Sequence, residues 1–181
     1  MAFIGLKKPR QQSVFEPLVL NARIPDNSVF APAGGTFLLV FLRHVGCPFA
    51  EQLVKQLLAW RTVHPALPIF LVSHGDHANT MKWLATFQAE QAFKVVIDEP
   101  RQLYGQWGLG FSKWQHFLGP KPLIGVVKLW FSGIRNRSAA GTRWQKSGVF
   151  LVKSQRVVWC HVPRSAEDNQ LPEGDLTIPS F

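Results

Sequence analysis

The 181 residues include two cysteines, Cys47 and Cys160, and a single tyrosine. So few cysteines exclude a disulfide-stapled secreted scaffold and leave thiol chemistry or plain burial, with a reducing compartment expected. Long apolar stretches are lacking too. The strongest runs, residues 36–42 and 68–72, fall far short of the ~20 residues a membrane-spanning helix needs. The opening MAFIGLKKPR sets its apolar residues before its basic ones, the reverse of a signal peptide, and no apolar segment follows. A cytoplasmic protein is expected. Acidic residues are absent from residues 100–166, which hold eleven lysines and arginines, whereas the rest of the chain has nine basic and eleven acidic residues. The net charge of +9 therefore comes from one stretch. Trp114, Trp130, Phe131 and Trp144 are interleaved with those charges, a combination suited to an anionic membrane surface or an acidic protein. No nucleic-acid recognition motif accompanies them, so nucleic acid is not expected as the partner. Gly105, Gly108 and Gly110 follow a short helical segment instead of opening one after a strand, so no dinucleotide loop and no cofactor is expected. His74-x-x-His77 with Asp76 lacks a second ligand cluster at zinc spacing, and no metal is expected.

What is present is ample core: 46% of residues are hydrophobic and 17% charged, which favours one globular domain. Residues 36–43, TFLLVFLR, read as a strand buried on both faces. After a GCP break, Phe49, Leu53, Leu57 and Trp60 recur at helical spacing, with Glu51, Gln52, Lys55 and Gln56 on the other face. Strand 67–73, helix 77–91, strand 93–98 and a short helix over 100–108 follow, the last with Pro100 in its first turn. This alternation predicts parallel strands joined by right-handed crossovers. Past residue 110, Leu123, Ile124, Val127, Trp130 and Phe131 mark an apolar helical face, residues 132–148 read as a mobile Gly/Ser/Arg-rich loop, and 149–153 and 156–162 form a hairpin around Ser154-Gln155. From Pro163 on, the start of a helix and then an extended tail are expected.

The chemistry concentrates at Cys47, in the turn from the central strand to the next helix, with Pro48 suited to that helix's first position. Unpaired backbone N–H groups and the positive end of the helix dipole favour a thiolate over a thiol there. Ligands of parallel α/β sheets bind outside the carboxyl ends of the strands, the edge that also receives His74, Asp76 and His77. Arg43 and His44 stand just before the cysteine and add positive charge. The alternative is that Cys47 is a small buried hydrophobe.

The runs FLRHVGCPFAEQLVKQL, LVSHGDHANTMKWL, VIDEPRQLYGQWGLG and WQKSGVFLVKSQRVVWCHVPRSAEDN resemble the peroxiredoxin-like branch of the alkyl hydroperoxide reductase and thiol-specific antioxidant family. The resemblance spans residues 15–170, leaving 1–14 as an extension and 171–181 as a tail. Its most specific pieces are R-x-x-G-C-P at Arg43–Pro48, including Gly46, and D-x-x-x-x-L-Y-x-x-x-G-L at Asp98–Leu109. It implies a thioredoxin-like α/β fold with a central mixed sheet flanked by helices. The implied activity is an antioxidant oxidoreductase that reduces a hydroperoxide substrate and is restored by an external thiol reductant.

Departures narrow the mechanism. Peroxiredoxins carry a proline and a hydroxyl residue seven and three positions before the reactive cysteine, where Val40 and His44 stand here. The arginine of their R-G-L-F pattern is replaced by Ser147, and Cys47-Pro48-Phe49-Ala50 lacks the second thiol of C-P-x-C. A one-cysteine cycle through a sulfenic acid at Cys47 is expected, with Arg43 or His44 in place of the missing groups. The competing reading is a thioredoxin-fold scaffold that has lost catalysis. Cys160, on the last strand, is expected about 10 Å to the side at ~4.8 Å per strand. A disulfide needs Cα atoms within about 7 Å, so Cys160 is expected to be structural, with a shared role in oxidation left open.

Overall fold

The computed structural model describes residues 8–26, 30, 35–112 and 140–173. Its elements follow the alternation of the sequence: β1 (Thr36–Phe41), α1 (Pro48–Val63), β2 (Ile69–Ser73), α2 (His77–Ala85), β3 (Lys94–Ile97), α3 (Gln102–Gln106), β4 (Gly148–Lys153) and β5 (Arg156–His161). They build a five-stranded mixed sheet in the order β3-β2-β1-β4-β5. β1 to β3 are parallel, β4 runs antiparallel to β1, and β5 antiparallel to β4. This is an α/β fold with a central mixed sheet flanked by helices.

The continuous apolar run of β1 is explained by its central place. Leu38, Val40 and Leu42 point into one core, and Phe37, Leu39 and Phe41 into the other. The first core takes Leu53, Val54 and Leu57 of α1 and Trp83 and Leu84 of α2. The second is mainly aromatic: Trp107 stands edge-on to Phe30 and Phe150, at centroid distances of 6.1 and 4.9 Å. Leu53 lies within the first core and is buried. Its replacement by alanine should lower the unfolding free energy by about 2–5 kcal/mol, and denaturant titration giving a much smaller change would mean that this helix face is misassigned.

Several boundaries differ from the sequence reading, each for a local reason. α1 begins at Pro48, as its first-turn proline favours, and runs to Val63. Glu51, expected on the outer face, is buried in the first turn, and its Oε1 lies 2.9 Å from Lys55 Nζ. α2 opens on an Asp76 cap, which accepts from Asn79 N at 2.9 Å. It stops at Ala85 instead of reaching residue 91, because Gln88 takes φ 56° and the chain turns back to donate from Ala89 N to Leu84 O at 3.1 Å. α3 starts only at Gln102, after Arg101 at φ 61°. The β4–β5 turn places Ser154 and Gln155 at φ 48° and 63°, the primed geometry that suits a two-residue hairpin.

No helix forms over residues 162–173, where one was expected to start. Asp168 instead gathers the chain, accepting from Arg164 N at 3.0 Å and lying 3.2 Å from His161 Nε2. Of the expected extended tail, residues 171–173 have no regular structure, and Pro172 O accepts from Trp60 Nε1 at 3.0 Å; residues 174–181, the expected helical face at Leu123–Phe131 and Trp114 lie outside the described residues. Among the described residues, no helix is long and apolar enough to cross a membrane.

Candidate active site

Cys47 closes the turn that follows β1. Gly46 adopts φ 83°, a conformation that favours glycine, and Cys47 N donates to His44 O at 3.3 Å. Cys47 then serves as the N-cap of α1, its carbonyl accepting from Glu51 N at 3.0 Å, with Pro48 next in the helix. Cys47 is 2% exposed. Arg43, one turn earlier and also buried, brings Nη1 to 3.7 Å from Cys47 Sγ as a donor. Five residues of chain, 43–47, thus place a guanidinium and a helix N-terminus around one sulfur.

Two side chains from other elements hold this turn in place. The Tyr104 hydroxyl donates to Leu42 O at 2.6 Å and sits 3.0 Å from Val72 O, bridging the ends of β1 and β2. His74, at the end of β2, places Nε2 2.5 Å from Arg43 O. A carbonyl only accepts, so the proton is on Nε2 and Nδ1 carries a lone pair. The rings of His74 and Tyr104 meet edge to face at 5.4 Å. Asp98 fixes Tyr104 in turn by accepting from Gln102 N at 3.0 Å and Tyr104 N at 3.2 Å. The Asp-to-Tyr segment of the sequence is therefore a strut from the end of β3 to the turn bearing Cys47. Sequence reasoning noticed the motif but gave Tyr104 no role; its being the only tyrosine was the available signal. Tyr104→Phe should cost about 1–3 kcal/mol, since it leaves a buried carbonyl short of a donor, and a thermal melt indistinguishable from wild type would remove the strut from the account.

Residues 140–147, expected to be part of a mobile loop, are packed over this edge, while 132–139 fall outside the described residues. Ala140 N donates to Val45 O at 3.3 Å, Arg143 O accepts from Arg43 Nη2 at 3.5 Å, and Gln145 Nε2 donates to Leu109 O at 2.7 Å. Thr142, Gln145 and Ser147 are buried. The composition read as mobile is a requirement of close packing: at Gly141, φ 88°, a Cβ would fall 2.2 Å from His74 Nδ1.

The site is cationic yet its histidines are neutral. Burial, the first cause, and the charge of Arg43 push His44 well below 6.5, and burial lowers His74 from 6.5 to about 4 against the opposing bond to Arg43 O. Burial raises Tyr104 well above 10.0, with the charge of Asp98 adding to it. Burial also raises Asp98 above 3.8 despite its backbone donors. A histidine titrating lower in the folded state leaves the unfolded chain holding more protons, so stability is full above 6.5 and is lost as pH falls toward 4. His44 acts in the same direction, whereas Asp98 opposes it just above 3.8. Denaturant titrations should show stability falling by about 1.4 kcal/mol per pH unit or more through that window. A flat profile would place both histidines in water.

Of the remaining sequence candidates, Asp76 is exposed and occupied by its cap, and His77 is the first residue of α2. Among the described residues no three potential ligands cluster around a metal position. Cys160 pairs with Phe150, which pairs with Leu39, and packs against the aromatic core, whereas Cys47 belongs to the opposite one. Sheet and core separate the two thiols. Cys160 Sγ donates to Leu18 O at 3.8 Å, and burial raises its pKa. The described basic residues of 100–166 are dispersed: Arg143 lies at the site, while Lys153 and Arg156 flank the hairpin turn at the other end of the sheet.

A family model described as AhpC/TSA antioxidant enzyme matches residues 52–165, and the chain belongs to that family. The match begins within α1, beyond Cys47. Among solved structures, the chain is similar to a thiol peroxidase from Chromobacterium violaceum, with 10% identity, a TM-score of 0.59 and coverage of 86% of this chain and 83% of that one. A peroxiredoxin-like protein from Aquifex aeolicus shares 13% identity over 86% of this chain and 82% of its own, with a TM-score of 0.58. A reduced peroxiredoxin from Vibrio vulnificus in complex with hydrogen peroxide shares 13% identity over 82% and 90%, with a TM-score of 0.54. At such identity these likenesses establish the thioredoxin-like fold of peroxiredoxins. No curated protein matches the sequence. Family membership supports a thiol peroxidase type of function.

Proposed function

We propose that the chain is a one-cysteine thiol peroxidase in which Cys47 is the nucleophile. The observation that carries this reading is the Arg43 guanidinium 3.7 Å from a buried sulfur at a helix N-terminus, in a chain of an antioxidant enzyme family. The thiolate attacks the terminal oxygen of a hydroperoxide; an S–O bond forms, the O–O bond breaks, and the leaving alkoxide or hydroxide takes up a proton. Arg43 stabilises negative charge first on sulfur and then on the leaving oxygen. The resulting sulfenic acid condenses with an external thiol, releasing water, and a second thiol returns Cys47 and departs as a disulfide. His44, Gly46 and Pro48 shape the turn, and Cys160, across the sheet, takes no part. A thiol reductant fits a reducing, cytoplasmic setting.

Peroxide added with dimedone should label Cys47 and leave Cys160 unlabelled in peptide mass spectra. The scaffold reading has one observation in its favour, the burial of the Cys47 thiol, and absence of any adduct at Cys47 would select it. Attraction of residues 100–166 to an anionic membrane surface or an acidic protein is a separate proposal. Sedimentation with anionic vesicles at low salt tests its membrane form, and wild-type protein left in the supernatant would reject that form.

A further inference from the structure

Residues 8–26 lie along α3 and the outer edge of β5 on a fixed main chain, yet four of their large apolar side chains face water. Phe15 N donates to Gly105 O at 3.0 Å, Asn21 N to Val157 O at 2.8 Å and Ile24 N to Gln155 O at 3.0 Å. The segment crosses α3 so closely that a Cβ at Gly105 would strike Ser13 O, and one at Gly108 would fall 2.6 Å from Pro17 Cα. These two glycines, which open no nucleotide loop, seat the segment. Leu18 and Ile24 turn inward against the aromatic core. Phe15, Val19 and Leu20 are instead 63%, 65% and 58% exposed, and Val14 is exposed as well. Of the six large apolar side chains exposed among the described residues, four lie within residues 14–20. Apolar groups gathered in this way on a bonded main chain mark a contact surface.

Basic residues border the stretch at both ends. On one side Arg101 Nη2 donates to Arg10 O at 3.5 Å, and Lys8 and Arg10 are exposed there. On the other, exposed Arg156 donates from Nη1 to Asn21 O at 2.8 Å and pairs with exposed Arg23 through a β-bridge. Glu16 is the one acid between Lys8 and Arg23 in sequence. We propose that this face docks on an anionic membrane surface: Phe15, Val19 and Leu20 enter the boundary of the acyl chains, and the flanking basic residues meet the lipid headgroups. A second copy of the chain fits the face less well, because a two-fold contact would bring the basic ends of two molecules together, each of net charge +9. The apolar anchor lies outside residues 100–166, and the proposal does not depend on the reading of Cys47.

Vesicle sedimentation at low salt tests the proposal, with phosphatidylcholine alone and with about a quarter of it replaced by phosphatidylserine. The wild type should partition into the mixed vesicles about tenfold more strongly than into the neutral ones, and added salt should narrow the gap. Phe15→Ser combined with Leu20→Ser should lower partition into the mixed vesicles about tenfold or more. Both side chains are exposed, so the thermal melt of this variant should match wild type. Arg10→Gln combined with Arg23→Gln should weaken binding several-fold, whereas Glu16→Gln should strengthen it. Wild-type protein that stays in the supernatant, or a Phe15→Ser, Leu20→Ser variant that partitions as the wild type does, would overturn the proposal. So would dimerisation in the ultracentrifuge that the same two substitutions abolish, which would assign the face to a second copy.

Discussion

Cys47→Ser protein will fold and consume no hydroperoxide. Serine keeps the size of the side chain but lacks a sulfur that can accept oxygen, so turnover should fall to the background of the buffer. Stability should move the other way. Cys47 caps α1 without a side-chain hydrogen bond, and a serine hydroxyl is a preferred partner for the free N–H groups of a first turn. An increase of about 0.5–1 kcal/mol in unfolding free energy is expected, an ordinary consequence of replacing a reactive group at a functional site. Turnover equal to wild type in this variant would move the chemistry to another residue.

Arg43→Met should lower the rate of peroxide reduction by about 10²–10³, the usual effect of removing one donor from developing oxyanion charge. The same change deprives Arg143 O of its donor, costing about 1–3 kcal/mol of stability. Rate and stability therefore need to be measured together. Arg43→Lys retains the charge but loses the fork that reaches Cys47 Sγ and Arg143 O at once, so it should recover only part of the rate. If Arg43→Met reacts as fast as wild type, the guanidinium is a packing device and no more.

Local signals made most of the scaffold legible. The apolar run of β1 marked the central strand because a strand with cores on both faces has no polar alternation to show. The turn at Cys47, the helix it opens and the hairpin followed from Pro48, from apolar spacing and from Ser154-Gln155. Contacts between residues far apart in the chain stayed invisible. Arg43 meets the Arg143 carbonyl across 100 positions of sequence and Tyr104 reaches Leu42 across 62, and no periodicity encodes such meetings. Gly141 read as loop composition, whereas the His74 ring leaves no room there for a Cβ. The end of α2 was missed for the opposite reason: helix-forming residues continue past Ala85, and burial of Ala89 against the core overrides them.

Stopped-flow mixing of hydrogen peroxide with Cys160→Ser protein, in which Cys47 is the only thiol, tests the central claim most directly. The account predicts loss of one thiol per chain, linear in peroxide concentration, at a rate far above that of free cysteine in the same buffer, with the sulfenic acid reversed by added thiol. A rate no greater than that of free cysteine would contradict it.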